Sequence, residues 1–283
     1  MKQGFVKVAS ATPRIRVADP VYNAQVICEQ AKEAAEHGAK IVVFPELCIT
    51  GYTCNDLFLQ ELLLEKAKEA LLTIAEETGQ LETLFLVGLP VDKDGRLYNV
   101  AAVLYRGRIL GMIPKKNIPM YAEFYEGRHF TPGEETVTEY RLGKQVIPFG
   151  SNLLFRCEEL PELILGCELC EDLWVAEPPS TSHALMGATV IANLSASNET
   201  VSKDDYRTLL IKASSARLLC GYIYTSAGEG ESTQDLVFGG HDLIAENGTL
   251  LVQSARFTTG ILYTDLDVLK ISSERRRMGT FGK

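Results

Sequence analysis

Short apolar runs of strand length alternate with helix-like segments along almost the whole chain, yet some neighbouring runs are joined by turns instead of helices. Residues 83–91, 97–105 and 108–114 follow one another directly, with Arg106-Gly107 as a hairpin turn, and 236–245 and 250–255 flank Asn247-Gly248. Strands linked through a helix pair in parallel, whereas strands linked by a tight turn pair antiparallel. The pattern therefore predicts mixed sheets and argues against a purely parallel doubly wound fold.

The remaining segments fit that alternation. Residues 4–9 read as an opening strand, and Asp19-Pro20 as a helix start, with a capping carboxylate followed by proline in the first turn. Ala24, Ile27, Cys28, Ala31, Ala34 and Ala35 keep helical spacing up to Gly38, and 40–44 is a short strand. A helical region is expected over 56–78, and strands over 146–157 and 162–167. Helices are expected at 180–186, at 204–220 with Tyr206, Leu209, Leu210 and Ala213 on one face, and at 267–277. Strands are expected at 189–194, 221–227 and 260–266. Residues 115–134 show no period and read as a long loop, of the kind that in a compact domain is usually functional or disordered. No linker or repeat divides the chain, so one domain over 1–283 is expected.

Composition narrows the classes. A net charge of −9 gives no support for a nucleic-acid binder. No apolar stretch reaches the roughly 20 residues that cross a bilayer, and MKQGFVKVAS is too polar for a signal peptide. Seven cysteines, an odd number scattered through the chain, suit reduced thiols in a cytoplasmic protein.

Three segments carry chemistry. In LILGCELCEDLW, 163–174, a buried strand delivers Cys170 to a turn where backbone N–H groups can activate a thiol and hold an oxyanion. In FPELCITGY, 44–52, Glu46 is the first charge after a buried strand, where desolvation favours proton transfer. In IPKKNIPMYAEFYEGRHF, 113–130, Lys115 follows a strand and a proline, and carboxylates and aromatic rings crowd the loop behind it. Singly, each has an ordinary reading: a small buried cysteine, a loop glutamate, a solvated lysine.

Together the three resemble the nitrilase, or carbon–nitrogen hydrolase, superfamily, and the resemblance covers nearly the whole chain. It implies a Glu46, Lys115, Cys170 triad with a second glutamate at Glu123, eight residues after the lysine. The implied fold is α+β: a four-layer sandwich, two β-sheets face to face with helices outside. CELCEDLWV, NLSASN and ERRRMGTF look narrower still, like the glutaminase domain of glutamine-dependent NAD synthetases. That likeness implies glutamine hydrolysis through a cysteine thioester, with Tyr121, Glu171 and Ser197 reading the substrate's α-groups. The family's carboxylate-binding arginine is replaced by Lys203, with Arg207 as its rival. The half-reaction is expected to need no metal or organic cofactor. ATP and magnesium belong to a synthetase domain whose SGGxDS loop is not in this sequence, and a longer natural polypeptide is expected. The likeness also implies a homo-oligomer.

Other readings compete. A free-standing amidase or carbamoylase would share the triad but not the α-group pocket. Cys167 and Cys170 form a CxxC, the spacing of a redox pair. His37, His129, His183 and His241 are too scattered for a closed zinc site, and no GxSxG marks a serine hydrolase. Arg275–Arg277 read as a solvated or interface face of the last helix.

Overall fold

The computed structural model describes Met1 and residues 3–282. Its strands are β1 (Phe5–Thr12), β2 (Ile41–Val43), β3 (Leu84–Lys93), β4 (Arg96–Tyr105), β5 (Arg108–Pro114), β6 (Thr138–Leu142), β7 (Gln145–Phe149), β8 (Leu154–Arg156), β9 (Ile164–Leu169), β10 (Val190–Ser195), β11 (Gly221–Ser226), β12 (Leu243–Glu246), β13 (Thr249–Gln253) and β14 (Gly260–Asp267). The α-helices are α1 (Pro20–Glu36), α2 (Glu61–Glu77), α3 (Pro179–Leu185), α4 (Lys203–Arg217) and α5 (Val268–Arg277). The strands form an eight-stranded sheet, ordered β14-β1-β2-β3-β4-β5-β7-β6, and a six-stranded sheet, ordered β13-β12-β11-β10-β9-β8. Both sheets are mixed, as the hairpins required.

Strand alternation builds the layers. In β1, Val6 and Val8 face the other sheet, where they pack with Leu165, Cys167, Leu169, Val190, Ala192 and Ile223. Ala9 and Ala11, on the opposite face of the strand, meet α1 and α2, among Ala24, Ile27, Leu71 and Ile74. On the far side α3 and α4 cover the six-stranded sheet through Ala184, Ile211, Tyr222 and Leu243. The result is the expected sandwich of four layers. Its apolar alternation is the main stabilising term, since each buried aliphatic side chain contributes about 1.5–3 kcal/mol over an exposed one.

Four local expectations are corrected. The helical region 56–78 divides at Gln60 into a short 3-10 segment (Tyr52–Leu59) and α2, because Asn55 has a left-handed φ of 49° and Gln60 is extended. Residues 236–242, expected as strand, are irregular apart from one antiparallel bridge from Phe238 to Asn198, and the ladder starts at Leu243. On α4 the apolar residues Tyr206 and Leu209 are exposed, while Arg207, Ile211, Ser214 and Ser215 face inward. A polar buried face of this kind carries no hydrophobic period. The strand expected over 146–157 divides after Phe149 into β7, in the eight-stranded sheet, and β8, in the six-stranded sheet. β7 pairs with β6, which the alternation does not mark because β6 keeps only Tyr140 and Leu142 inside.

Strand direction gathers one end of the molecule. β2 and β3 are parallel, and β5 runs with them because two antiparallel pairings separate β3 from β5. In the other sheet β9, β10 and β11 are parallel. The carboxyl ends of β2 and β10 are tied directly by Glu46 N–H donating to Ser195 O at 3.3 Å. Loops leaving β2, β5, β9 and β10 thus share one cleft edge.

Candidate active site

Glu46 leaves β2 through Phe44-Pro45 and is completely buried. Its loop presses so closely on β3 that a Cβ at Gly88 would lie 2.2 Å from Leu47 N, so only glycine allows the approach. Glu46 Oε2 accepts from Ala196 N–H (2.9 Å), and Oε1 accepts from Lys115 Nζ (2.7 Å) and Asn99 Nδ2 (2.6 Å). Lys115, also fully buried, is fixed at the end of β5 by its own N–H to Asn99 O, 2.8 Å.

The second carboxylate on Lys115 is Glu126, not Glu123. Glu126 Oε1 accepts from Lys115 Nζ at 2.6 Å and from the Tyr52 hydroxyl at 2.9 Å. Asn99 Nδ2 also reaches Glu126 Oε2, at 3.3 Å, and so spans both acids. Glu126 comes inward because a 3-10 turn (Glu126–Arg128) follows the loop, whereas Glu123 sits one turn earlier and accepts from Asn198 Nδ2. Two carboxylates around one buried ammonium hold Lys115 well above the usual lysine range, against the burial that opposes its charge. Burial and the Glu46 charge push Glu126 up.

Cys170 begins a 3-10 turn (Cys170–Leu173) with φ at +40°, a left-handed conformation that a non-glycine residue holds only where its surroundings force it. The forcing contacts are visible. Asp172, buried, accepts from Leu169 N–H at 3.1 Å, closing the turn, and from Asn117 N–H and Nδ2 at 2.8 Å, binding the turn to the loop behind Lys115. Burial raises the Cys170 thiol far above its ordinary value; Glu46 and Glu126 add to that, while Lys115 and the Ala196 N–H oppose it. The sulfur therefore lies within the field of all three charges and rests as a thiol that needs a base.

Cys167, the other half of the CxxC, faces the layer between the sheets, so period-two alternation separates it from the site. All seven cysteines are unpaired.

The mouth of the site collects the remaining candidates. The Tyr121 hydroxyl donates toward both Glu171 oxygens at 3.0 Å. Lys203 Nζ lies over the Phe124 and Trp174 rings, 5.5 and 5.2 Å from their centroids, and donates to Asn198 Oδ1. Burial lowers Lys203, and the Cys170 charge acts on it in the opposite sense. Arg207 is committed elsewhere: its guanidinium bonds Glu199 (2.8 Å), His241 Nδ1 (3.0 Å), Asn198 O (3.1 Å) and Ser197 Oγ (3.3 Å). Ser197 is buried beside it, its N–H on Ser226 Oγ at 3.2 Å.

Sequence reasoning missed Asn99, Glu126, Asp172 and Tyr52. Asn99 and Asp172 carried a usable signal, a polar residue inside a strand-like run and an acid two residues after the thiol. Glu126 was separable from Glu123 only by the turn that presents it.

The chain is 43% identical over 282 residues to the glutamine-dependent NAD(+) synthetase of Mycobacterium tuberculosis (strain ATCC 25618 / H37Rv), an alignment covering 99% of this chain and 42% of that protein. The chain thus spans less than half the length of such relatives. The fold superposes on a glutamine-dependent NAD(+) synthetase from Cytophaga hutchinsonii with a TM-score of 0.84 at 28% identity, covering 93% of this chain and 43% of the other. An amidase from Nesterenkonia sp. AN1 shares the fold end to end, with a TM-score of 0.76, 20% identity and coverage of 98% and 96%. The carbon-nitrogen hydrolase family model matches residues 7–276, and this chain belongs to that family.

Proposed function

We propose that this chain is a glutaminase domain: it hydrolyses the side-chain amide of glutamine and supplies ammonia to an ATP-dependent synthetase domain that amidates nicotinic acid adenine dinucleotide to NAD. The observation that carries the chemistry is the buried Glu46–Lys115–Glu126 group set beside a cysteine on a left-handed turn. The synthetase relatives, each longer than this chain, support the biological setting.

In the proposed sequence Glu46 takes the Cys170 proton as the thiolate attacks the amide carbon. An ammonium has three donors, and Glu46 and Glu126 use two from Lys115. The third is free for the oxyanion, with the Glu171 N–H as its companion. Glu46 then gives its proton to the departing nitrogen; the C–N bond breaks, ammonia leaves, and a thioester remains. Water attacks that thioester as Glu46 takes its proton, and breaking the C–S bond returns a proton to Cys170 and frees glutamate. Glu126 holds Lys115 against Glu46 throughout, so the second glutamate of the site is Glu126 and not Glu123. This half-reaction draws on no metal or organic cofactor; ATP and magnesium serve the synthetase step.

At the mouth, Glu171 suits the substrate ammonium and Lys203 its carboxylate, with Tyr121 and Ser197 as hydroxyl partners. The commitment of both Arg207 Nη atoms to Glu199, His241, Ser197 and Asn198 supports Lys203 over its rival. No helix among the described residues is long and apolar enough to cross a membrane. Unpaired cysteines suit a reducing compartment, and we assign the protein to the cytoplasm as a homo-oligomer paired through its helical layers.

Mass spectrometry after exposure to a diazoketone analogue of glutamine tests the nucleophile. Label on Cys170, lost in Cys170→Ala together with ammonia release, is expected. Label on another cysteine overturns the assignment.

A further inference from the structure

Glu123, displaced from the triad, has a defined place in the structure. One tight turn, closed by Phe124 N–H to Tyr121 O at 2.9 Å, sends three arms into the mouth of the site. Tyr121 reaches Glu171, Phe124 lies beneath the Lys203 ammonium, and Glu123 reaches the Asn198 amide. Asn198 is itself buried, and its backbone is anchored by a bridge to Phe238 and by Arg207 on its carbonyl. Its side chain has one remaining freedom, the direction of the amide.

A carboxylate can only accept hydrogen bonds and an ammonium can only donate them. With Glu123 on the Nδ2 side, Asn198 must turn Oδ1 toward Lys203, which is the observed arrangement. We propose that Glu123 is a positioning residue for substrate recognition: through the Asn198 amide it fixes the Lys203 ammonium where the substrate's α-carboxylate arrives. The inference rests on the glutaminase reading. It assigns Glu123 to specificity and leaves the bond-breaking steps to the triad. The Glu123 charge also acts on Lys203 in the sense that keeps it protonated.

The relay makes a prediction that plain structural support does not. Two probes separate the roles: the diazoketone analogue of glutamine, which carries both α-groups, and iodoacetamide, which carries neither. The rate of label appearing on the Cys170 peptide is measured for each. Glu123→Leu is expected to slow the glutamine analogue about tenfold, the worth of one hydrogen bond to a charged group, and to slow iodoacetamide by less than about twofold. Glu123→Gln, which keeps an acceptor, is expected to recover most of the loss. In a Lys203→Ala background Glu123→Leu is expected to add nothing further, because the relay then has no terminus. If Glu123→Leu fails to fold, Asn198→Ala is read by the same two probes. Equal slowing of both probes, or additive effects with Lys203→Ala, overturns the positioning role alone. If instead Lys203→Ala leaves the glutamine analogue as fast as wild type, the α-carboxylate does not bind there and the reading beneath the inference falls with it.

Discussion

Lys115 and Glu126 are separated by eleven positions in the chain and by 2.6 Å in space, Nζ to Oε1. With Glu46 on the same ammonium, the site holds two carboxylates and one cation where little water reaches them. Such a group is costly to assemble and costlier to break, because removing one member leaves the others buried without a partner.

Lys115→Met is therefore expected to destabilise the fold by about 3–5 kcal/mol as well as to abolish turnover. Adding Glu126→Gln is expected to restore part of that stability but none of the activity. Denaturant unfolding of the single and double variants, beside an ammonia-release assay, checks both halves.

Gly88 gives a test remote from the chemistry. Gly88→Ala puts a methyl group against Leu47 N and forces the Glu46 loop off β3. Movement of about 1 Å at a catalytic base typically costs on the order of a hundredfold. Reduced kcat with little change in KM, in a protein that still unfolds cooperatively, is the expected result.

Asp172 closes the Cys170 turn through Leu169 N–H and ties it to the Lys115 loop through three hydrogen bonds, two from Asn117 and one from Lys116 N–H. Asp172→Ala is expected to relax the left-handed Cys170 and slow its labelling by the glutamine analogue by at least about tenfold. Asp172→Asn, which keeps an acceptor, is expected to lose less. Equal losses in the two variants would remove the hydrogen bonds as the cause.

Stability should fall as pH rises through neutrality. Burial raises Glu168, hydrogen-bonded by Tyr222 and Ser180, to about 7, and raises Asp242, beneath Thr12 and Ser226, also to about 7. Both acids are raised above their unfolded values, so the folded state holds the extra protons. Their contribution is complete below about pH 4 and is lost progressively up to about pH 7. Denaturation midpoints between pH 5 and 8 are expected to decline, and Asp242→Asn is expected to flatten part of that decline. A flat profile in the wild type would contradict the protonated state of both acids.

The positions of Glu46, Lys115 and Cys170 were legible because each follows the end of a strand. A buried apolar run that stops at a charged or nucleophilic residue is a local signal, and Glu46, Lys115 and Cys170 each carry it. The layers were legible for a similar reason, since period-two alternation and the Asn247-Gly248 turn act over a few residues; Asn247 and Gly248 both have positive φ, as that hairpin demands. The buried face of α4 was not legible: Arg207 and Ser214 point inward because Glu199 and His241 meet the guanidinium there, and those partners lie outside the helix.

The C-terminal arginines show the same division. The sequence offered a basic run on a helix. The fold turns Arg275 inward, its guanidinium donating to the carbonyls of Ala188, Leu218 and Leu219 at 2.6–2.9 Å, where it closes the ends of loops from two elements.

Sequence alone determined the layers, the strand-exit positions of Glu46, Lys115 and Cys170, and the aromatic, acidic loop behind Lys115, because these follow from alternation and turn chemistry within a dozen residues. Only the tertiary structure decided that Glu126 holds the lysine, that Glu123 faces Asn198, and that Lys203 lies over the Phe124 and Trp174 rings while Arg207 pairs with Glu199 and His241. Those choices depend on which side chain a turn delivers to a distant partner, and on charges that must find a counterpart once water is excluded.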